Sequence, residues 1–101
     1  MTGDQKDLVR YRMERAFETL QEARLMLEHG HLHGAANRIY YACFYATVAL
    51  LLTKGLSSPK HNGVMALFNR HFVKPKEEDI RADLEQAQEF IARIESQLGS
   101  M

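Results

Sequence analysis

Residues 34–54, GAANRIYYACFYATVALLLTK, contain no proline and no glycine after the first position, and almost every side chain is apolar. Such a run predicts a helix, which at the α-helical rise would span roughly 30 Å, about the width of a small domain. One face carries Ala36, Ile39, Tyr40, Cys43, Thr47, Leu50 and Leu51, and the opposite face carries Tyr41, Tyr45, Val48 and Leu52. A helix that is apolar all round has to be covered all round. In a short chain this predicts either the central helix of a bundle or a helix shared with a second copy. We expect a homodimer, the commonest symmetric solution, with Tyr41, Tyr45, Val48 and Leu52 as its interface candidates. Asn37 and Arg38 bring polarity into the first turn of this helix and are the first candidates for function.

The 101 residues fit one domain, residues 1–101, able to bury a thin core. Lys and Arg number 13 against 13 Asp and Glu, so no net basic field advertises nucleic-acid binding, although a local patch remains open. The single cysteine, Cys43, excludes an internal disulfide and reads as a small buried hydrophobe. The opening residues, MTGDQKDLVRYR, lack the apolar centre of a signal peptide. The uncharged apolar run Ala42–Leu52 is too short to span a bilayer. The expectation is a soluble, cytoplasmic protein with no membrane partner.

Around the central helix the rest of the chain reads as further helices. Residues 1–5 are expected to be disordered. From Asp7 to Glu28, Leu8, Tyr11, Ala16, Phe17, Leu20, Ala23 and Leu27 recur at helical spacing, with charge on the other faces and Gly30 as the C-cap. His29, His31 and His33 alternate, a spacing that does not place them on one helix face, so an exposed turn is expected there and no metal site. A third helix is expected from Pro59 to Phe72, with Ser58 able to cap it and Val64, Leu67 and Phe68 on its buried side. A fourth begins at Glu77, Glu78 and Asp79, acids that suit a helix start. It carries Ile80, Leu84, Ala87, Ile91, Ile94 and Leu98 in a heptad-like stripe and ends at Gly99. The fold class is therefore all-α, an antiparallel four-helix bundle.

Arg38 admits two readings. An arginine among apolar neighbours has to pair or reach the surface, so a carboxylate such as Glu18 or Glu22 is one expected partner. The other is phosphate, which suits a planar and permanently charged fork. Tyr40, Tyr41 and Tyr45 could stack on bases or, as aromatics at helical spacing, belong to the core or a dimer interface, and Lys60 and His61, at the start of the third helix, could supply an ammonium and a general acid or base. No Ser/His/Asp set, phosphate loop or metal-ligand cluster is present, and no cofactor is expected.

Two segments carry a resemblance. Residues 36–44, ANRIYYACF, resemble the A-x-R-x-Y-Y-A-x-F opening of the second helix of HEPN domains. Lys60-His61-Asn62-Gly63-Val64, with Leu67-Phe68 and His71-Phe72-Val73, resembles a second segment of the same families, and Leu84–Ile91 is similar to their last helix. The nearest branch is the small stand-alone HEPN proteins. The resemblance implies a dimeric helical bundle in a toxin–antitoxin or defence setting. It implies a small nucleotidyltransferase as partner, and nucleotide or RNA as ligand. Many relatives are metal-independent endoribonucleases, with an arginine followed four to six residues later by histidine or tyrosine. That signature is not found at its expected place, because the chain passes directly from Pro75 to Lys76 where the family has a further helical stretch. Arg24 and His29 match the spacing literally, but at the end of the first helix, where the match reads as chance. Catalysis therefore stays open, with three readings: a dimerising module that binds a partner, nucleotide or RNA through Asn37, Arg38, Tyr41, Lys60 and His61; a ribonuclease toxin; or a purely structural bundle.

Overall fold

The computed structural model describes residues 3–53 and 76–99. It is all-α, with α1 over Gly3–Glu28, α2 over Leu32–Thr53 and α3 over Glu77–Leu98, and no strand occurs among the described residues. α3 is the fourth helix of the sequence reading. The expected third helix, residues 59–72, lies outside the described residues, as does the junction at Pro75.

α1 starts at Gly3, four residues before the expected Asp7, and so takes in Gly3, Asp4 and Gln5. Asp4 lies in its first turn, where a carboxylate meets the positive end of the helix dipole. Its buried stripe is Val9, Met13, Ala16, Leu20, Ala23 and Leu27, a ladder of steps of four and three. The expected stripe is corrected in its first half: Leu8 is 40% exposed, Tyr11 51% and Phe17 36%. Large side chains dominate a reading by hydrophobicity, whereas helix packing favours the positions in phase with Ala16 and Ala23, where small residues let a neighbouring backbone approach.

The chain then reverses within three residues. Gly30 has φ of +77°, the left-handed conformation that a glycine adopts without steric penalty. Its N–H donates to the Leu27 carbonyl at 3.1 Å, and the next N–H, of His31, donates to the Met26 carbonyl at 2.8 Å. This pair of bonds is the Schellman closure, and it satisfies two carbonyls that the end of α1 leaves open. His31 in turn accepts from the Ala35 N–H at 2.9 Å, so α2 starts at Leu32, two residues before the expected Gly34.

A tight turn at Gly30 makes α1 and α2 an antiparallel hairpin, in which residues equally far from Gly30 lie opposite one another. Glu22 faces Arg38 and Arg15 faces Tyr45 in this way. At Gly34 the approach is so close that a Cβ there would lie 2.8 Å from Met26 Sδ. Ala35, Ala42, Ala46 and Ala49 are fully buried along α2, as are Ala16 and Ala23 on α1, which lets the two backbones pack closely.

α2 buries Ala36, Ile39, Tyr40 and Cys43 as expected, but Thr47, Leu50 and Leu51 are half-buried. Thr47 turns its hydroxyl onto its own helix, donating to the Cys43 carbonyl at 2.7 Å. α2 has 22 residues and holds an 18-residue window of mean hydropathy 1.2, which by length and composition alone is enough to cross a membrane. Half of that window is buried against the rest of the chain, as in the core helix of a bundle.

α3 begins with Glu77, Glu78 and Asp79 and buries Ile80, Leu84, Ala87, Ile91 and Ile94, the expected heptad-like stripe, with Leu98 half-buried. Its C-terminal Glu95, Leu98 and Gly99 meet Lys6, Val9, Arg10 and Met13 of α1 around a groove of about 200 Å³. The end of α3 thus lies beside the beginning of α1. α3 is therefore antiparallel to α1 and runs in the same direction as α2.

Candidate functional site

The hairpin brings the candidate residues of α2 against one flank of α1. Arg38 is half-buried, and its Nε lies 3.7 Å from Oε1 of Glu22, with side chains 39% and 44% exposed. That distance is an ion pair and is too long for a hydrogen bond. Oε1 of Glu22 is itself buried and has no hydrogen-bond partner among the described residues. The pairing of Arg38 with Glu22 was one of two carboxylates expected from the sequence. The other, Glu18, instead accepts a 2.8 Å hydrogen bond from Arg15 one turn before it on α1.

Two turns along α2 from Arg38, the Arg15 guanidinium lies 5.7 Å from the centroid of the Tyr45 ring, a cation–π distance. Arg15 is held more firmly protonated than an ordinary arginine, first by its hydrogen bond to Glu18 and then by one to Tyr45. The Tyr45 ring stands 6.2 Å from that of Tyr41 at an interplanar angle of 35°, and Tyr41 meets Tyr40 edge-on at 5.0 Å. On α1 the Arg12 guanidinium lies 6.0 Å from the Tyr11 ring, and Tyr11 is 51% exposed. The flank thus carries Arg12, Arg15 and Arg38 among Tyr11, Tyr41 and Tyr45, with Glu18 and Glu22 as the acids. Guanidinium groups beside aromatic rings are a combination suited to a backbone phosphate next to a stacked base.

Of the residues singled out from the sequence, Arg38 and Tyr41 lie on this flank, and Asn37 is exposed; Asn37 and Arg38 fall in the second turn of α2, not the expected first, because the helix starts at Leu32. Lys60 and His61 lie outside the described residues. Of the interface candidates, Tyr41, Tyr45 and Leu52 are half-buried, whereas Val48 is only 6% exposed, already covered by its own chain. His29 and His31 in the turn are exposed, as is His33, which lies in the first turn of α2 and not in the expected turn, and the Nδ1–H of His29 donates to the Leu25 carbonyl near the end of α1 at 2.8 Å. Among the described residues no cluster of three or more His, Cys, Asp or Glu could hold a metal ion.

Sequence reasoning missed Arg15, which its amphipathic helix presented as one surface charge among many. The signal that would have found it is the turn: counting equal distances from Gly30 pairs Arg15 with Tyr45. Asp83 was also missed. It is 6% exposed, and its charge adds to the burial that pushes the Cys43 thiol up to about 12. An acid one residue before Leu84 reads as surface in a heptad pattern, and only the packing of α3 puts it inside.

The HEPN domain family profile matches residues 9–98. A UPF0332 protein of Thermotoga maritima is 54% identical over 72 residues, covering 71% of this chain and 54% of that protein. A protein of Methanocaldococcus jannaschii named "Putative toxin MJ0142" is 37% identical over 68 residues, covering 67% of this chain and 46% of its own length. The chain thus spans about half the length of these relatives. No solved structure matches it. The family match runs from the first buried residue of α1 to the last residue of α3, so the helices that build the hairpin flank are those of the family, and the chain belongs to the HEPN domain family.

Proposed function

We propose that the chain is a HEPN module of a toxin–antitoxin system that dimerises and binds the phosphates of a nucleotide or RNA through the Arg38 flank, with a small nucleotidyltransferase as its protein partner. The observation that carries this reading is the state of Arg38. Its guanidinium is half-exposed, is held among the described residues by a long ion pair, and shares its flank with Tyr41, Tyr45 and Arg15. A purely structural arginine would be expected to spend its donors on close hydrogen bonds, since each unmet donor of a partly buried cation is costly.

The test is binding of a labelled single-stranded RNA oligomer, and of nucleotides, at low salt. Arg38→Ala is expected to weaken binding several-fold and to lower the slope of log affinity against log salt by about one, the signature of one lost phosphate contact. If Arg38 were a strut, the variant would lose stability and leave affinity and salt slope unchanged.

The relative named "Putative toxin MJ0142" favours a second reading, in which the module itself is the toxic component. Induced expression of the chain in a bacterial host tests it: growth arrest relieved by Arg38→Ala would support toxicity through this flank, and normal growth would oppose it.

A further inference from the structure

We infer that Glu22 is an intramolecular competitor for the Arg38 guanidinium, a side chain that a phosphate must displace to bind, and that it sets the affinity of the flank for anionic ligands. The inference rests on the proposed role of Arg38 and adds a residue to it.

Glu22 comes from α1 and Arg38 from α2, so the pair is made by the hairpin and not by local helix spacing. The neighbouring pair on the same flank sets the comparison. Arg15 and Glu18, three residues apart on one helix, close to a 2.8 Å hydrogen bond. Glu22 and Arg38 stop at 3.7 Å, although both side chains are long and half-exposed. At that length they share Coulomb attraction without the directional bond that makes a guanidinium–carboxylate pair strong. Oε1 of Glu22 has meanwhile given up its water and accepts no hydrogen bond among the described residues. A buried carboxylate oxygen without a donor is held poorly. A phosphate that accepts two parallel N–H bonds from Arg38 would release Glu22 to solvent, where that oxygen regains its hydration. Exposed ion pairs are weak, so the exchange is accessible to an ordinary ligand. The carboxylate therefore leaves the cation available while keeping it from binding every passing anion. Carboxylate ligands, which offer nothing that Glu22 lacks, are discriminated against, and a phosphate backbone with its second charged neighbour is favoured.

The test compares Glu22→Gln, Glu18→Gln and Arg38→Ala, with the double variant Glu22→Gln/Arg38→Ala, in titrations of a labelled single-stranded RNA oligomer at low salt. Glu22→Gln is expected to tighten binding by about two- to fivefold, the range that follows from removing one exposed ion pair. Glu18→Gln removes the same charge from the same flank and is expected to do less. The gain from Glu22→Gln is expected to vanish when Arg38 is alanine, because the competitor then has nothing to hold. Equal gains from the two glutamine variants, or a gain that survives Arg38→Ala, would show a general field effect and overturn the inference. If the wild type binds no RNA, appearance of binding in Glu22→Gln supports the competitor role and continued absence overturns it. Thermal unfolding of Glu22→Gln separates the remaining alternative: lower stability with unchanged affinity would make Glu22 a strut between helices. The proposed role of Arg38 fails separately, when Arg38→Ala alone leaves wild-type affinity intact.

Discussion

Cys43 shows how burial sets chemistry at a single position. Its thiol is buried on α2, and desolvation, followed by the charge of Asp83, pushes it up to about 12. A thiol attacks as thiolate, so the native chain is expected to resist alkylation at pH 8 and to react once unfolded in denaturant. Labelling at equal rates in both states would show that the sulfur is accessible. The same shift predicts a stability change in alkaline solution. Above the ordinary thiol pKa the unfolded chain releases this proton while the folded chain keeps it, so stability falls as pH rises from about 9 towards 12. Cys43→Ala lacks that loss, and denaturant midpoints of the two proteins at pH 8 and pH 10.5 measure the difference. Tyr40, buried on the same helix, shifts in the same direction, chiefly by burial.

At the scale of the helix, the faces of α2 are unequal. Ile39 is 1% exposed, whereas Leu50 is half-buried and packs on the edge of the core. Both lie on the apolar face read from the sequence, where Leu50→Ala would be expected to cost a full core truncation. The structure separates them. Ile39→Ala is expected to cost about 2–5 kcal/mol, the usual range for a fully buried aliphatic residue, and Leu50→Ala to fall near or below the lower end of that range. Urea denaturation of the two variants checks the order, and a larger loss for Leu50→Ala would place the core elsewhere. The reason for the asymmetry is geometrical. A helix that is apolar on every side gives its periodicity no preferred direction, and the directions in which α1 and α3 approach decide which aliphatic residues are covered.

For the whole molecule, the expectation of a homodimer rests on the same helix. Tyr41, Tyr45 and Leu52 are half-buried, while Val48 is covered within the chain, which leaves an interface narrower than the sequence suggested. Sedimentation at micromolar concentration is expected to give a dimer that Tyr41→Ala with Leu52→Ala weakens at least tenfold, about 1.4 kcal/mol or more. A monomer at every concentration would overturn the expectation. A dimer whose affinity is unaffected by these substitutions would move the interface away from this face of α2.

The all-α class, the three described helices to within four residues at their starts, the glycine turn and the stripe of α3 were legible in the sequence, because each depends on local chemistry: helical period, capping and acids at a helix start. The resemblance carried by residues 36–44 placed the chain in its family because that motif is also local. The phase of the α1 stripe was not legible, because the burial of Val9 and Met13 depends on the side from which other helices approach, and the end of α3 meets them there. Nor were the burial of Asp83 and the meeting of Arg15 with Tyr45, which need two helices in place. Arg38 stood out in sequence as a charge in an apolar run, but only the hairpin decided that its partner is Glu22 and that the pair stays open at 3.7 Å. The sequence by itself determined which segments are helices and which family they build. The tertiary structure decided which faces are covered and which charges meet, because burial and ion pairing depend on the distance between helices, and that distance is set where alanine and glycine let two backbones approach.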